Sequence, residues 1–220
     1  MPPQRRSESA VATGRGDDGS TALLFGGDRI AKDDARTEAY GTIDEAVAAL
    51  GLARAQLNLK AERDGVSPGL ADLAAIVLRL QRELFVAASE LATNQDAWDR
   101  LLDGTTRVSR EMVDGLDALL AEAESRVEMP REFVVPGETP TSAALELART
   151  ILRRAERRAV SLQRDGLVPG PHLLPYLNRF ADLLWVLARA AEQAEARSAT
   201  PSRTTRRRTT DGAPNRSSRP

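Results

Sequence analysis

The 220-residue sequence contains no cysteine. Disulfides, thiolate metal sites and cysteine nucleophiles are therefore excluded. Aromatic residues are scarce, at 4% of a chain that is 41% apolar, and Ala and Leu dominate the apolar set. That mixture suits packed helices; a sheet sandwich draws more on Val, Ile, Thr and Tyr. No apolar run approaches the roughly 18 residues of a membrane span. The opening MPPQRRSESAVATG carries two Arg but no apolar leader stretch, so the chain reads as a soluble cytoplasmic protein. The sole His, His172, stands beside Pro171 at an expected helix start, a place for a surface or capping role. Lysine is nearly absent: of 31 basic residues only Lys32 and Lys60 are Lys. In a chain that otherwise uses Arg, a Lys beside a Gly-rich loop suggests a need for a compact ammonium.

The net charge of −1 hides an asymmetry. Residues 198–220 hold six Arg and one Asp, leaving the remainder near −6. Such a tail can touch nucleic acid. Its Ser, Thr, Pro, Gly and Arg, with almost no apolar residue, read instead as a disordered end. Neither a nucleic-acid nor a membrane partner is expected. The chain divides into a disordered arm at 1–11, a helical body at 12–197 and the basic tail at 198–220.

Periodicity organises the body. Ile43, Val47, Leu50 and Leu57 form one stripe of a helix over 35–58, with Asp33 or Asp34 able to cap it. DGVSPG at 64–69 breaks the chain. Ser67 and Pro68 then start a second helix reaching about Thr93, striped by Leu73, Ile76, Val77, Leu80, Leu84, Ala87 and Leu91. Residues 96–106 connect to a shorter helix over 110–125 that Ser109 can cap. EFVVPGE at 132–138 reads as extended. Thr139-Pro140 opens a fourth helix, 140–164, and a fifth follows over 172–197. The seams Leu145-Ala148-Leu152-Ala155-Ala159-Leu162 and Leu173-Leu177-Phe180-Leu184-Leu187-Ala191 repeat at three- and four-residue spacing, and their Ala residues allow close helix approach. Trp185 falls among seam residues and reads as core. The expected fold is all-α, a five-helix up-and-down-type bundle preceded by a Gly-rich N-terminal loop.

Three constellations could carry chemistry. The first is TGRGDDGSTALLFGGDRIAKDD at 13–34. Gly14, Gly16 and Gly19 let backbone N–H groups approach an anion, while Thr13, Ser20, Thr21 and Lys32 add donors. It is not a Walker A loop, because Ser20 stands where the Lys belongs. Polyphosphate binding and a solvated arm both remain open on these residues. The second is LARTILRRAERRAV at 147–160, where Arg149, Arg153 and Glu156 share a face beside the apolar seam. Two Arg on one ridge can clamp phosphate, with Glu156 orienting either; a solvated face of ion pairs is the alternative. The third is YLNRFAD at 176–182, where Asn178 and Asp182 lie four apart. Asn178 can meet a purine edge or ribose, and Asp182 an Arg across the bundle. Asp44, one position past Ile43, can likewise meet an Arg on a neighbouring helix or subunit. Asp17-Asp18 and Asp33-Asp34 could assist magnesium, although turn and cap roles are commoner for such pairs.

These segments, with EAYGTIDE at 38–45, LQRELFVAASELAT at 80–93 and FVVPGETPTSAALELARTILRRAER at 133–157, resemble in content and order the PduO-type ATP:cob(I)alamin adenosyltransferases, the corrinoid adenosyltransferases. The resemblance covers about residues 12–192. It implies a homotrimer whose interfacial sites place ATP between the loop of one subunit and the fourth helix of the next. On that resemblance Thr13, Gly14, Arg15, Gly16, Ser20, Thr21 and Lys32 line the ATP site. Arg149, Arg153, Arg154, Glu156 and Arg157 contribute from the fourth helix and Asn178 from the fifth. Asp44 matches the position that pairs across the interface with the Arg at 153, and Phe133 the ring that closes the lower face of the corrin.

The implied reaction is attack of cob(I)alamin on the 5′ carbon of ATP, giving adenosylcobalamin and triphosphate, with magnesium as cofactor. Arg149, Arg153 and Asp44 would carry the catalytic roles. The cobalt is the nucleophile, so a chain without Cys is no obstacle. A separate reductase supplies the electron, and an adenosylcobalamin-dependent enzyme receives the product. The sequence departs from the family pattern at Gly14, where Lys is frequent, at Glu138, where PGG is usual after Pro136, and at 46–48, where AVA replaces LNS. A carrier that delivers adenosylcobalamin to a mutase, or a helical module without chemistry, are the other readings.

Overall fold

A computed structural model describes residues 12–65 and 68–203. The expected 1–11 arm and the proposed Ser67 cap lie outside the described residues, as does the tail beyond Arg203. Ahead of the bundle, β1 (Ser20–Thr21) and β2 (Ile30–Ala31) form a small antiparallel pair, Ser20 opposite Ala31 and Thr21 opposite Ile30. Asp34, rather than Asp33, caps the first helix by accepting the Arg36 N–H at 2.8 Å. That helix, α1 (Ala35–Asp64), runs past 58 and ends at Gly65, whose φ of 84° is open to a residue without Cβ. The chain continues through α2 (Pro68–Leu91), a 3₁₀ turn over Gln95–Arg100 in place of a plain connection, and α3 (Arg110–Arg126).

Ser109 caps α3 as expected, its side chain accepting the Met112 N–H at 3.3 Å. The strand β3 (Val134–Val135) follows, then α4 (Pro140–Arg164) and α5 (Leu173–Ala194). The start of α4 is fixed twice. The Thr139 hydroxyl accepts the Ser142 N–H at 3.0 Å, and the Ser142 hydroxyl accepts the Thr139 N–H at 3.2 Å. A capping box of this kind stabilises a helix start by about 1 kcal/mol.

Helix α1 packs on α2 and α4, α4 on α5, and α5 on α3. All six seam residues of α4 and all six of α5 are buried. Each fully buried Leu among them stabilises the bundle by about 2 kcal/mol. The Ala positions let α4 lie close to both neighbours.

A final strand, β4 (Thr200–Pro201), pairs antiparallel with β3, and the Ser202 N–H donates to the Phe133 carbonyl at 2.7 Å. This corrects the expected boundary of the disordered tail at 198. A two-residue ladder plus one further bond is enough to order the first residues after α5. The helix itself stops at Ala194 rather than 197.

One buried carboxylate ties the loops together. Glu90, near the end of α2, accepts the Val108 N–H at 2.8 Å and the Gly170 N–H at 3.1 Å. Burial pushes its carboxyl up to about 7, against the opposite pull of those two N–H groups and Arg107. Gly170 has no room for a side chain, since a Cβ there would lie 2.6 Å from Glu90 Oε1.

Candidate functional site

The N-terminal segment is a knotted turn rather than a free arm. Gly19 sits at φ 79°, which a residue with a Cβ adopts only with strain. Asp18 Oδ1 accepts both the Ser20 N–H at 2.9 Å and the Ser20 hydroxyl at 2.7 Å. Those bonds hold its carboxyl below the usual range, with Arg29 assisting. Arg29 is the organiser that the sequence did not mark. Its Nε donates to Ser20 Oγ at 2.6 Å, and its Nη2 donates to the carbonyls of Arg15 at 2.7 Å and Ser20 at 2.9 Å. The Lys32 N–H closes the turn onto the Gly19 carbonyl at 2.9 Å.

The Lys32 ammonium lies over the Gly16 backbone. A Cβ on Gly16 would come within 2.9 Å of Lys32 Nζ and 3.3 Å of the Ser20 carbonyl. Glycine at 16 thus lets an ammonium and open backbone share one small surface, as an anion requires. Thr13, Gly14 and Arg15 are exposed beside it, and Ser20 and Thr21 are half-buried. Further on, the Leu24 N–H donates to the Ala92 carbonyl at 2.8 Å and Asn94 Nδ2 to the Gly26 carbonyl at 3.0 Å. These bonds anchor the loop on the end of α2.

On α4 the basic residues divide into two sets. Arg154 pairs with Glu45, and Arg158 with Glu38, both on α1; Arg158 also donates to Thr42 Oγ1 at 2.6 Å. These pairs stitch α1 to α4 within the chain. Asp44, Arg153 and Arg157 stay exposed. The other set faces a cleft of about 300 Å³. Arg149 and Arg153 line it from α4, Asp182 and Trp185 from α5, and Phe133 and Pro136 from the β3 segment. Phe133 is 87% exposed, an unusual state for a ring. Together with Trp185 it also lines a neighbouring hollow of about 450 Å³ that includes Arg131 and Arg203.

Two expectations change here, those for the partner of Arg149 and for Trp185. Glu156 approaches Arg153 only to 4.0 Å, and the partner of Arg149 is Glu146, at 2.7 Å from its Nε. The three-residue step back along α4 brings Glu146 under Arg149, whereas Glu156 lies almost two turns further on. Trp185 is half-buried cleft wall rather than core, because it sits at the edge of the α5 seam where the β3 segment leaves a gap. Asn178 is exposed on α5, one turn before Asp182, and does not line the cleft. His172 stands at the start of α5 without a side-chain capping bond.

Sequence reasoning missed a buried charged row. Arg189 is 1% exposed and lies between Glu146 Oε1, at 3.3 Å, and Glu192 Oε1, at 2.8 Å. Its guanidinium also sits 5.5 Å from the Trp185 ring centre. No local signal marked them: with 3.6 residues per turn, Arg189 and Glu192 lie about 160° and about 100° round α5 from its apolar seam, and only their tertiary neighbours bury them.

Residues 11–191 match the family model described as cobalamin adenosyltransferase. A corrinoid adenosyltransferase of Citrobacter freundii is 37% identical over 182 residues, covering 83% of this chain and 94% of that protein. One from Bacillus subtilis (strain 168) is 38% identical over 177 residues, covering 80% and 83%. Among solved structures, a phenylalanine-to-alanine variant of the PduO-type ATP:corrinoid adenosyltransferase of Lactobacillus reuteri, complexed with cobalamin and ATP, superposes with a TM-score of 0.73 at 27% identity. It covers 87% of this chain and 98% of that one.

Proposed function

The chain belongs to the cobalamin adenosyltransferase family, and from that premise we propose that it transfers the 5′-deoxyadenosyl group of ATP to cob(I)alamin and releases triphosphate. The observation that carries this reading is the cleft. It combines two guanidinium groups, Arg149 and Arg153, with an exposed aromatic ring, Phe133. A flat, largely apolar macrocycle and a polyanion are the two ligands such a lining suits.

The roles follow from the chemistry. Lys32, the open backbone at Gly14 and Gly16, and the hydroxyls of Thr13, Ser20 and Thr21 grip the triphosphate, with Arg15 beside them. Arg149 and Arg153 stabilise charge on the leaving group, and Arg157 extends the ridge. Arg154, paired with Glu45 on α1, and Glu156 flank the ridge, Asn178 meets the nucleoside, and Phe133 shields the lower face of the corrin from water. The protein's part is positioning and electrostatics, since the reduced cobalt of the substrate is the nucleophile. Among the described residues no group of three or more His, Cys, Asp or Glu is arranged to hold a metal ion. Magnesium enters this reading as the counter-ion of the ATP phosphates.

The loop is anchored on α2 and the ridge lies on α4, which favours a site completed by a second subunit of a homotrimer. Asp44, Ala48, Leu52, Ala55 and Leu59 make one exposed stripe on α1. Leu52 and Leu59 are 49% and 58% exposed there, so α1 is apolar on a face that its own bundle does not cover. Asp44 at the head of that stripe reaches the Arg ridge, at Arg153, of the neighbouring subunit. In this reading the reaction runs in the cytoplasm, with a separate reductase supplying the electron and an adenosylcobalamin-dependent enzyme receiving the product.

The test is anaerobic. Purified protein receives ATP, magnesium and chemically reduced cob(I)alamin, and the visible spectrum is followed. Formation of adenosylcobalamin with release of triphosphate is the expected result, and Arg153→Ala should abolish it while leaving the helical circular dichroism unchanged. Retention of adenosylcobalamin without transfer would turn the reading to a carrier. No turnover and no ATP binding would refute it.

A further inference from the structure

We propose that Glu146 is a positioning residue for the transfer reaction: from within the bundle it holds Arg149 aimed into the cleft. The inference rests on the adenosyltransferase reading for its catalytic consequence, but not for its geometry. Glu146 is 3% exposed, although it lies about 100° or more round α4 from Leu145, Ala148 and Leu152, on the side that carries Arg149 and Arg153. An apolar residue there would pack without the cost of desolvating a carboxylate. The carboxylate does what an apolar residue cannot. Its Oε2 accepts Arg149 Nε at 2.7 Å. Among the described residues, neither terminal nitrogen of Arg149 has a hydrogen-bond partner in the chain. The guanidinium is thus fixed at its root, with its outer donors left for a ligand.

The other oxygen of Glu146 faces Arg189 Nη1 at 3.3 Å, and Arg189 is itself paired with Glu192 at 2.8 Å. Two Arg and two Glu make a row without net charge, running from the buried side of α5 to the cleft. Arg153 offers the contrast: its side chain is 46% exposed, with only a 4.0 Å approach to Glu156. Arg149 is the preset cation of the ridge and Arg153 the unanchored one. A long side chain fixed before binding loses less freedom when the ligand arrives.

Glu146→Gln keeps the size of the side chain and removes its charge. Two readouts test the idea, and the first needs no substrate. In a ¹H–¹⁵N spectrum of the arginine Nε groups, Arg149 is identified by the signal that disappears in Arg149→Lys. It should be slowly exchanging in the wild type and lost or rapidly exchanging in Glu146→Gln. The second readout is kinetic. Glu146→Gln should lower kcat by about tenfold with the KM for ATP changed less than about threefold. The same change made in the Arg149→Lys background should have almost no further effect.

A protected Arg149 signal that survives in Glu146→Gln would overturn the proposal. So would an undiminished penalty of Glu146→Gln in the Arg149→Lys background, which is what a merely structural role produces. Absence of turnover in the wild type would defeat the functional reading instead, and the spectrum would still decide whether Glu146 holds Arg149.

Discussion

Glu90 makes the stability of the bundle depend on pH in an uncommon direction. Burial pushes its carboxyl up to about 7 in the folded protein, against 4.5 for an ordinary Glu. A carboxyl raised in this way binds its proton more tightly folded than unfolded. Its contribution is complete below pH 4.5, where both states are protonated, and is lost as pH rises through 7. A displacement of about 2.5 pH units corresponds to about 3 kcal/mol. The perturbation that isolates it is Glu90→Gln. Both Glu90 oxygens accept backbone N–H groups, from Val108 and Gly170, so the amide of Gln meets one of them donor to donor. The variant should be destabilised by about 1–3 kcal/mol for the spoiled hydrogen bond and should lose the pH dependence. The assay is urea denaturation of both proteins at steps from pH 4.5 to 8. The gap between wild type and variant should narrow by up to about 3 kcal/mol across that range. A gap that stays constant, or widens with pH, would refute the reasoning.

Other perturbations read other parts of the molecule. Gly16→Ala puts a Cβ 2.9 Å from Lys32 Nζ; ATP binding by calorimetry should weaken about tenfold while the melting temperature stays unchanged. Arg29→Ala removes the bonds to Ser20 and to the Arg15 carbonyl, so the KM for ATP should rise with little change in kcat, measured at saturating cob(I)alamin. A chain ending at Arg203 should keep full activity. One ending at Arg197 loses β4 and the Ser202 bond to Phe133, and its turnover should fall. Gly170→Ala drives a Cβ to within 2.6 Å of Glu90 Oε1 and should cost about 2 kcal/mol or more in the same denaturation assay.

The helices were legible because their evidence is local. The α4 and α5 seams repeat at helical spacing, and Asp34, Ser109 and Thr139 stand where caps belong. The start of α4 could be read to the residue for that reason. Arg149 and Arg153 were also legible as a ridge, since a helix fixes which residues share a face. The rest needed tertiary neighbours. Nothing near Arg29 says that it will span Ser20 and Arg15, because that contact closes a turn of fourteen residues. Trp185 carries a core-like sequence position, yet the chain withholds its cover. Glu146 follows a Leu in an amphipathic helix and looks like a solvent position until α5 brings Arg189 against it. The short β3–β4 pair joins segments far apart in sequence, each too short to show alternation.

The near-absence of lysine has a practical side. Lys60 is drawn into an ion pair with Glu195 at 3.4 Å, and its side chain is 22% exposed. Lys32 is exposed, on the turn that faces Gly16. Within this sequence an amine-acylating reagent therefore meets one open side-chain target, and it stands on the loop assigned to the phosphates. Mild acylation followed by peptide mass analysis becomes a footprint of that loop. Protection of Lys32 by ATP, at concentrations that leave the terminal amine reactive, would report occupancy of the nucleotide side without cobalamin, reductant or exclusion of oxygen.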